Sequence, residues 1–154
     1  MVVLFYGQPA SGKTTLADRL VGLFGKAVVR LDGDVWREIT NNKDYSDSGR
    51  RANLKSACDM ARILHLQGYA TIMSFVFPFN DLREYLASHT QLVQIYLTCD
   101  VDRGRNHYHV QNFEEPTLDC LRINTSDISI DECLHEIKNY IKEKTGYDTD
   151  EELG

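Results

Sequence analysis

An α/β fold, built on a five-stranded, mostly parallel sheet with helices on both faces, is the class that the sequence predicts. Three observations carry it. Short continuous apolar runs, as strands buried on both faces require, recur along the chain; stretches with apolar residues at helical spacing separate them; and the first run passes through a glycine-rich turn straight into the first helix.

The run VVLFY at 2–6 closes on Gly7 and reads as the first strand, and TTLADRLVGLF then repeats Leu at helical spacing. KAVVRLDGD is a second strand ending in two carboxylates, VWREITNN a short helix or turn, and KDYSDSG an exposed loop. Over 50–67, Leu54, Cys58, Ala61 and Leu64 share a helical face, and Gly68 is the stop. YATIMSFV is the third strand, NDLREYLAS a helix capped by Asn80, QLVQIYLT the fourth strand, and LDCLRINTS contains a short fifth. The last helix, SIDECLHEIKNYIKEKTG, gathers Ile130, Cys133, Leu134, Ile137 and Ile141 on one side and stops at Gly146. A single domain is therefore expected over 1–146, with 147–154 as an acidic, frayed tail. Ligands of such sheets sit beyond the carboxyl ends of the strands, and every motif below falls there.

With 154 residues and 42% apolar content, the chain is long enough for one substantial core. A net charge of -6 argues against a broad nucleic-acid surface, which needs a basic face to displace counterions, so an anionic partner must be met locally. Cys58, Cys99, Cys120 and Cys133 form no CxxC pair and no zinc-like spacing, which suits free thiols in a reducing compartment. The opening MVVLFYG lacks the basic segment and apolar length of a secretory signal, and no run approaches the ~18 apolar residues of a membrane span. The expectation is a cytoplasmic protein.

Gly7-x-x-x-x-Gly12-Lys13-Thr14 fits the Walker A pattern, between a strand and a helix as that pattern requires, and so specifies a P-loop NTPase fold. Glycine lets successive N–H groups converge on an anion, and the helix N-terminus adds its positive dipole end. Gly7, Pro9, Ala10, Ser11, Gly12, Lys13, Thr14 and Thr15 are thus the expected phosphate contacts, with Lys13 neutralising the outer phosphates and Thr14 ligating magnesium. ATP and Mg2+ are the expected cofactors. Phosphate binding alone leaves switch, motor and kinase open. The GTPase alternative fails on NNKDY, which has the wrong order for an NKxD base reader and follows the wrong strand. The third strand ends in Ser74 rather than Asp, leaving Asp32 and Asp34 as the acids of the site. Across one glycine on an extended turn, Asp32 can face the metal and Asp34 an incoming hydroxyl; solvated acids on an Asp-Gly turn are the plain alternative.

Spaced motifs over most of the chain resemble the adenylylsulfate kinases, which use MgATP to phosphorylate the ribose 3′-hydroxyl of adenosine 5′-phosphosulfate. That family's GLSGSGKST is similar to GQPASGKTT; LDGDxxR is matched by Leu31, Asp32, Gly33, Asp34 and Arg37; and FSxxDRxENIRR is similar to YSDSGRRANLKS, which keeps Tyr45, Ser46, Arg50 and Asn53. SFISPF resembles SFVFPF, YExP resembles FEEP, and LxIDT resembles LRINT. The resemblance implies that Asp34 holds and deprotonates the acceptor hydroxyl, that Lys13 and Asp32 complete the catalytic set, and that Arg37, Arg50 and Asn53 grip the phosphosulfate. It also implies that Ser74, Phe75, Val76 and Phe77 line the acceptor pocket and that a homodimer is the default assembly. A mixed anhydride of strong acids suits guanidinium forks. For Phe77 and Phe79, core and pocket stay open as readings, and Trp36 reads as a packing residue.

The family's long basic segment, RDPKGLYKKA followed by FTGID, has only CDVDRGRNHYHVQN in its place. Arg103 and Arg105 remain as lid cations for the transferring group, and Tyr108 or Phe113 as a base-stacking ring. His107 and His109 have no acidic or thiol partner nearby in sequence and read as loop residues rather than metal ligands. The family's Asp and Glu are replaced by Gly49 and Ala52, and its second Arg by Ser56. Such changes suit a different alcohol, on another nucleotide diphosphate derivative, a nucleoside or a modified sugar. A non-catalytic ATP-binding module is a third reading.

Overall fold

The computed structural model describes residues 1–151. Its strands are β1 (Val2–Tyr6), β2 (Val28–Asp32), β3 (Ala70–Phe75), β4 (Leu92–Thr98) and β5 (Leu121–Asn124). Helices α1 (Lys13–Val21), α2 (Gly33–Thr40), α3 (Asp47–Leu66), α4 (Asn80–His89) and α5 (Ile130–Thr145) alternate with them, and a 3-10 turn spans Asn106–Tyr108. The five strands lie in the order β2-β3-β1-β4-β5, and every pairing is parallel. The register sets Tyr6 beside Phe75 and Asp32 beside Ser74, so the motif-bearing carboxyl ends share one edge.

Alternation along β1 divides the core. Val3 and Phe5 face a layer made by α1 and α5, with Leu16, Leu20, Cys133 and Ile137; Val2, Leu4 and Tyr6 face Leu54, Cys58 and Leu86 of α3 and α4. Both sets are shut off from water, which is why β1 reads as a continuous apolar run. Among the described residues no helix is long and apolar enough to cross a membrane.

Three local expectations are corrected. Helix α3 starts at Asp47 inside the stretch expected as loop, because the Ser46 hydroxyl accepts from the Gly49 N–H at 3.2 Å and caps it. Asn80 is not the cap of α4 but its first residue; its N–H donates to Glu114 Oε1 at 2.8 Å and its carboxamide oxygen accepts from Arg83. The expected frayed tail packs as far as the described residues run. Tyr147 stacks on Phe24 with ring centroids 4.9 Å apart, Thr149 is buried, and Asp148 and Asp150 pair with Lys142 and Lys138. Residues 152–154 lie outside the described residues.

Candidate active site

The turn from β1 into α1 is shaped by backbone demands. Gly7 has φ 150°, and a Cβ there would come within 2.2 Å of the Leu97 carbonyl oxygen. Gly12, at φ 101°, holds the N-cap position of α1 without offering a side-chain cap, so the first amides of α1 keep their open donors for an anion. Ala10 also takes a left-handed conformation, φ 61°, which costs a non-glycine residue on the order of 1 kcal/mol and follows from the curvature of the turn. The Lys13 ammonium folds back over the turn, donating to the Gln8 carbonyl at 2.7 Å and to Ser11 Oγ at 3.3 Å. Burial lowers its pKa to about 8; Asp34 and Asp32 oppose that fall and Arg105 adds to it, so these four charges share one field.

Asp32 closes β2 and is the N-cap of α2, not part of an extended turn. Its Oδ2 accepts from the N–H groups of Asp34 and Val35 at 3.1 and 3.4 Å. Its Oδ1 accepts from Ser74 Oγ at 2.8 Å and from Thr14 Oγ1 at 3.3 Å, while Arg30 lies 3.6 Å away and donates to Ser74 at 2.7 Å. The acid between strands is thereby fixed against the phosphate turn. Gly33 leaves room beside it, since a Cβ would meet the Phe75 ring at 3.2 Å and press it aside. The corrected local geometry separates the pair: Asp32 is tied down, whereas Asp34, in the first turn of α2, stands exposed at a cavity.

That cavity has a volume of about 720 Å³ and is walled by the phosphate turn, the acids, α3, the end of β3 and the segment after β4. Pro9, Ala10, Lys13, Thr14, Asp32, Asp34, Arg37, Arg50, Asn53, Ser74, Phe75, Val76, Phe77 and Arg105 all line it. Four cationic side chains (Lys13, Arg37, Arg50 and Arg105) face two carboxylates, so a protein of net charge -6 keeps a positive cleft for anions. Asn53 is 5% exposed and its Oδ1 has no partner among the described residues; such an atom costs about 1–3 kcal/mol until something donates to it. Arg37 is partly committed, donating to Asn42 and to the Asp44 carbonyl under the Tyr45 ring. No hydrogen bond or ion pair engages the Arg50 guanidinium among the described residues.

The open question over the phenylalanines is answered by burial. Phe77 and Phe79 are core residues, and Phe75 and Phe77 also border the cavity. Phe77 sits at φ 54°, held there by the buried Arg83, which donates to its carbonyl.

Other expected contacts fall elsewhere. Gly7, Ser11, Gly12 and Thr15 shape the turn or its helix without lining the cavity, Ser11 being buried as the acceptor for Lys13. Arg103 turns to the back of the phosphate turn, donating to Ala10 O at 3.0 Å and Thr125 O at 3.2 Å. Phe113 is not at the cavity as expected: it stacks on Tyr96 at 5.8 Å and lies against Arg83, covering apolar core. His107 lies tilted against Tyr108, ring centroids 4.0 Å apart, beside the cavity, and no group of three metal-binding side chains occurs among the described residues.

Gln8, Arg30 and Arg83 escaped the sequence reading. Arg30 alone had a signal, a charge inside an apolar strand run.

An anion nest at a helix N-terminus, facing an exposed carboxylate across a cationic cleft, on a parallel sheet of this order, defines a P-loop phosphotransferase that uses a nucleoside triphosphate. Known proteins narrow the class. The family model described as adenylylsulphate kinase matches residues 1–110, and the chain belongs to that family of ATP-using kinases, which phosphorylate an alcohol. It is 30% identical to the adenylyl-sulfate kinase of Prochlorococcus marinus over 89% of this chain and 81% of the relative. With the adenylyl-sulfate kinase of Bacillus licheniformis it shares 25% identity over 94% of this chain and 86% of the relative. The solved structure of the Mycobacterium tuberculosis APS kinase CysC in complex with AMPPNP and APS superposes with a TM-score of 0.72, covering 92% of this chain and 96% of that one. At 20% identity, that likeness bears on the fold alone.

Proposed function

We propose that this chain transfers the γ-phosphoryl group of ATP to the 3′-hydroxyl of adenosine 5′-phosphosulfate. One observation carries the reading: a single cavity is lined together by the phosphate turn, by Arg37, Arg50 and Asn53, and by Asp34 in the first turn of α2.

Lys13 and the first amides of α1 hold the triphosphate tail, and Lys13 leaves the Gln8 carbonyl to do so. Thr14 Oγ1 and Asp32 Oδ1, 3.3 Å apart, are hard oxygen donors that would hold Mg2+, which would supply positive charge against the phosphates. Asp34 accepts the proton of the attacking hydroxyl and orients it. Arg37 and Arg50 meet the phosphosulfate, and Asn53 Oδ1 gains a donor from the acceptor. Arg105, across from Lys13, faces the charge that develops on the moving phosphoryl group. Free cysteines throughout are in keeping with a cytoplasmic enzyme.

A coupled assay of ADP release tests the reading. Adenosine 5′-phosphosulfate should raise the rate well above the background with MgATP alone; a folded protein that binds MgATP and shows no such rise would refute this acceptor.

A further inference from the structure

The Walker A pattern leaves the position of Gln8 open, yet this side chain bonds a residue 102 positions away. Its Nε2 donates to the Val110 carbonyl at 2.9 Å, and its Oε1 accepts from the Val110 N–H at 2.8 Å. One carboxamide thus completes both backbone hydrogen bonds of Val110, a residue only 9% exposed, as a strand partner would. Seven residues earlier, Arg103 donates to the carbonyl of Ala10 in the same phosphate turn. The strap from 103 to 110 is therefore fastened to that turn at both ends, and the stretch it suspends carries Arg105, His107 and Tyr108 along the cavity. The Arg105 guanidinium makes no hydrogen bond or ion pair among the described residues; the Tyr108 ring lies 5.4 Å from it, and the Arg105 carbonyl accepts from the Tyr108 N–H at 3.0 Å. Its position is inherited from the strap.

We infer that Gln8 is a positioning residue for phosphoryl transfer: its carboxamide latches the strap to the phosphate turn and so holds Arg105 at the transferring group. This rests on the kinase reading above. The acceptor end of the cavity, with Arg37, Arg50 and Asn53, lies on other elements and is untouched by the latch. Losing the latch should therefore lower kcat and spare the acceptor KM.

Hydrogen exchange and kinetics on the full chain test this together. In the substrate-free protein, Gln8→Leu should speed exchange of the Val110 amide about tenfold or more, the effect expected of two partly buried hydrogen bonds. In the coupled assay the same variant should lose about tenfold in kcat with the acceptor KM within about twofold. Gln8→Glu keeps the acceptor for the Val110 N–H and loses the donor, so it should fall between wild type and Gln8→Leu, and it stands in should the leucine variant not fold. Equal exchange of the Val110 amide in all three proteins would overturn the inference, as would a loosened strap with unchanged kcat. Failure of the acceptor reading has a different signature: wild-type protein idle with adenosine 5′-phosphosulfate while the exchange difference persists. The loss of kcat alone is then read on ATP hydrolysis.

Discussion

The two walls that enclose the phosphate end of the cavity are built from contacts of opposite range. In the phosphate turn, Lys13 meets Gln8 and Ser11, five and two positions away, and the glycines make the bend by their own conformational freedom. In the segment joining β4 to β5, the fastenings come from far away: Gln8 to Val110 across 102 positions, Arg103 to Ala10 across 93, and Arg83 to the Glu114 carbonyl across 31. The turn keeps local bonds of its own besides the distant ones, whereas these fastenings of the strap are made only once the sheet is assembled. Local opening should therefore begin in the strap.

The largest test of that contrast sets one cation from each wall against the other. Lys13→Ala should lower transfer by about 10³-fold or more with the thermal melt little changed, since it removes the ammonium that meets the outer phosphates once it leaves the Gln8 carbonyl. Asp34→Asn should cost on the order of 10³-fold in kcat, the range for removing a positioned base. Arg105→Ala should cost about 10²-fold, less than Lys13→Ala because a suspended side chain contributes a less preorganised field. Equal losses for the two cations would erase the distinction between the walls.

A pH profile sharpens the comparison next. The buried ammonium of Lys13 titrates at about 8 before ligand arrives, and the triphosphate needs it charged. MgATP affinity should be flat below about pH 7, fall roughly twofold by pH 8 and roughly fivefold more from pH 8 to 9, with proton uptake on binding in that range, read by calorimetry in buffers of different ionisation heat. The same shift acts on folding with the opposite sense. An unfolded lysine keeps its proton up to about 10.5, so between about 8 and 10.5 the unfolded state binds more protons, and this residue's contribution to stability rises with pH. Lys13→Met should remove both dependences.

The smallest effect concerns neither wall but the chain end. Tyr147→Ala removes a ring stacked on Phe24 and lying near Lys26, and should cost about 1–3 kcal/mol in chemical denaturation while leaving kcat within about twofold.

What the sequence disclosed follows the same division by range. The order of strands and helices along the chain, the phosphate turn and the identity of the acids Asp32 and Asp34 were legible because each lies within a short window, whereas the capping of α2 by Asp32 was not. Phe113 misled because an aromatic in an irregular segment has no periodic neighbours to declare its face, and its partner Tyr96 sits on another element. Gln8 went unread for a related reason: nothing around it names Val110. Asn80 has the residue type of a cap, yet the Arg83 guanidinium one turn on claims its side chain. Tyr147 was lost among acids whose partners, Lys138 and Lys142, lie on the preceding helix.

Cys58 and Cys133 stand in the two apolar layers on opposite faces of the sheet, and both are buried. Burial also pushes the Cys58 thiol up to about 12, so it stays unreactive while its layer is shut. An alkylating reagent can reach each sulfur only when its own layer parts. The native thiols thus form a built-in pair of clocks, and the order in which they are modified reports which side of the molecule comes apart first.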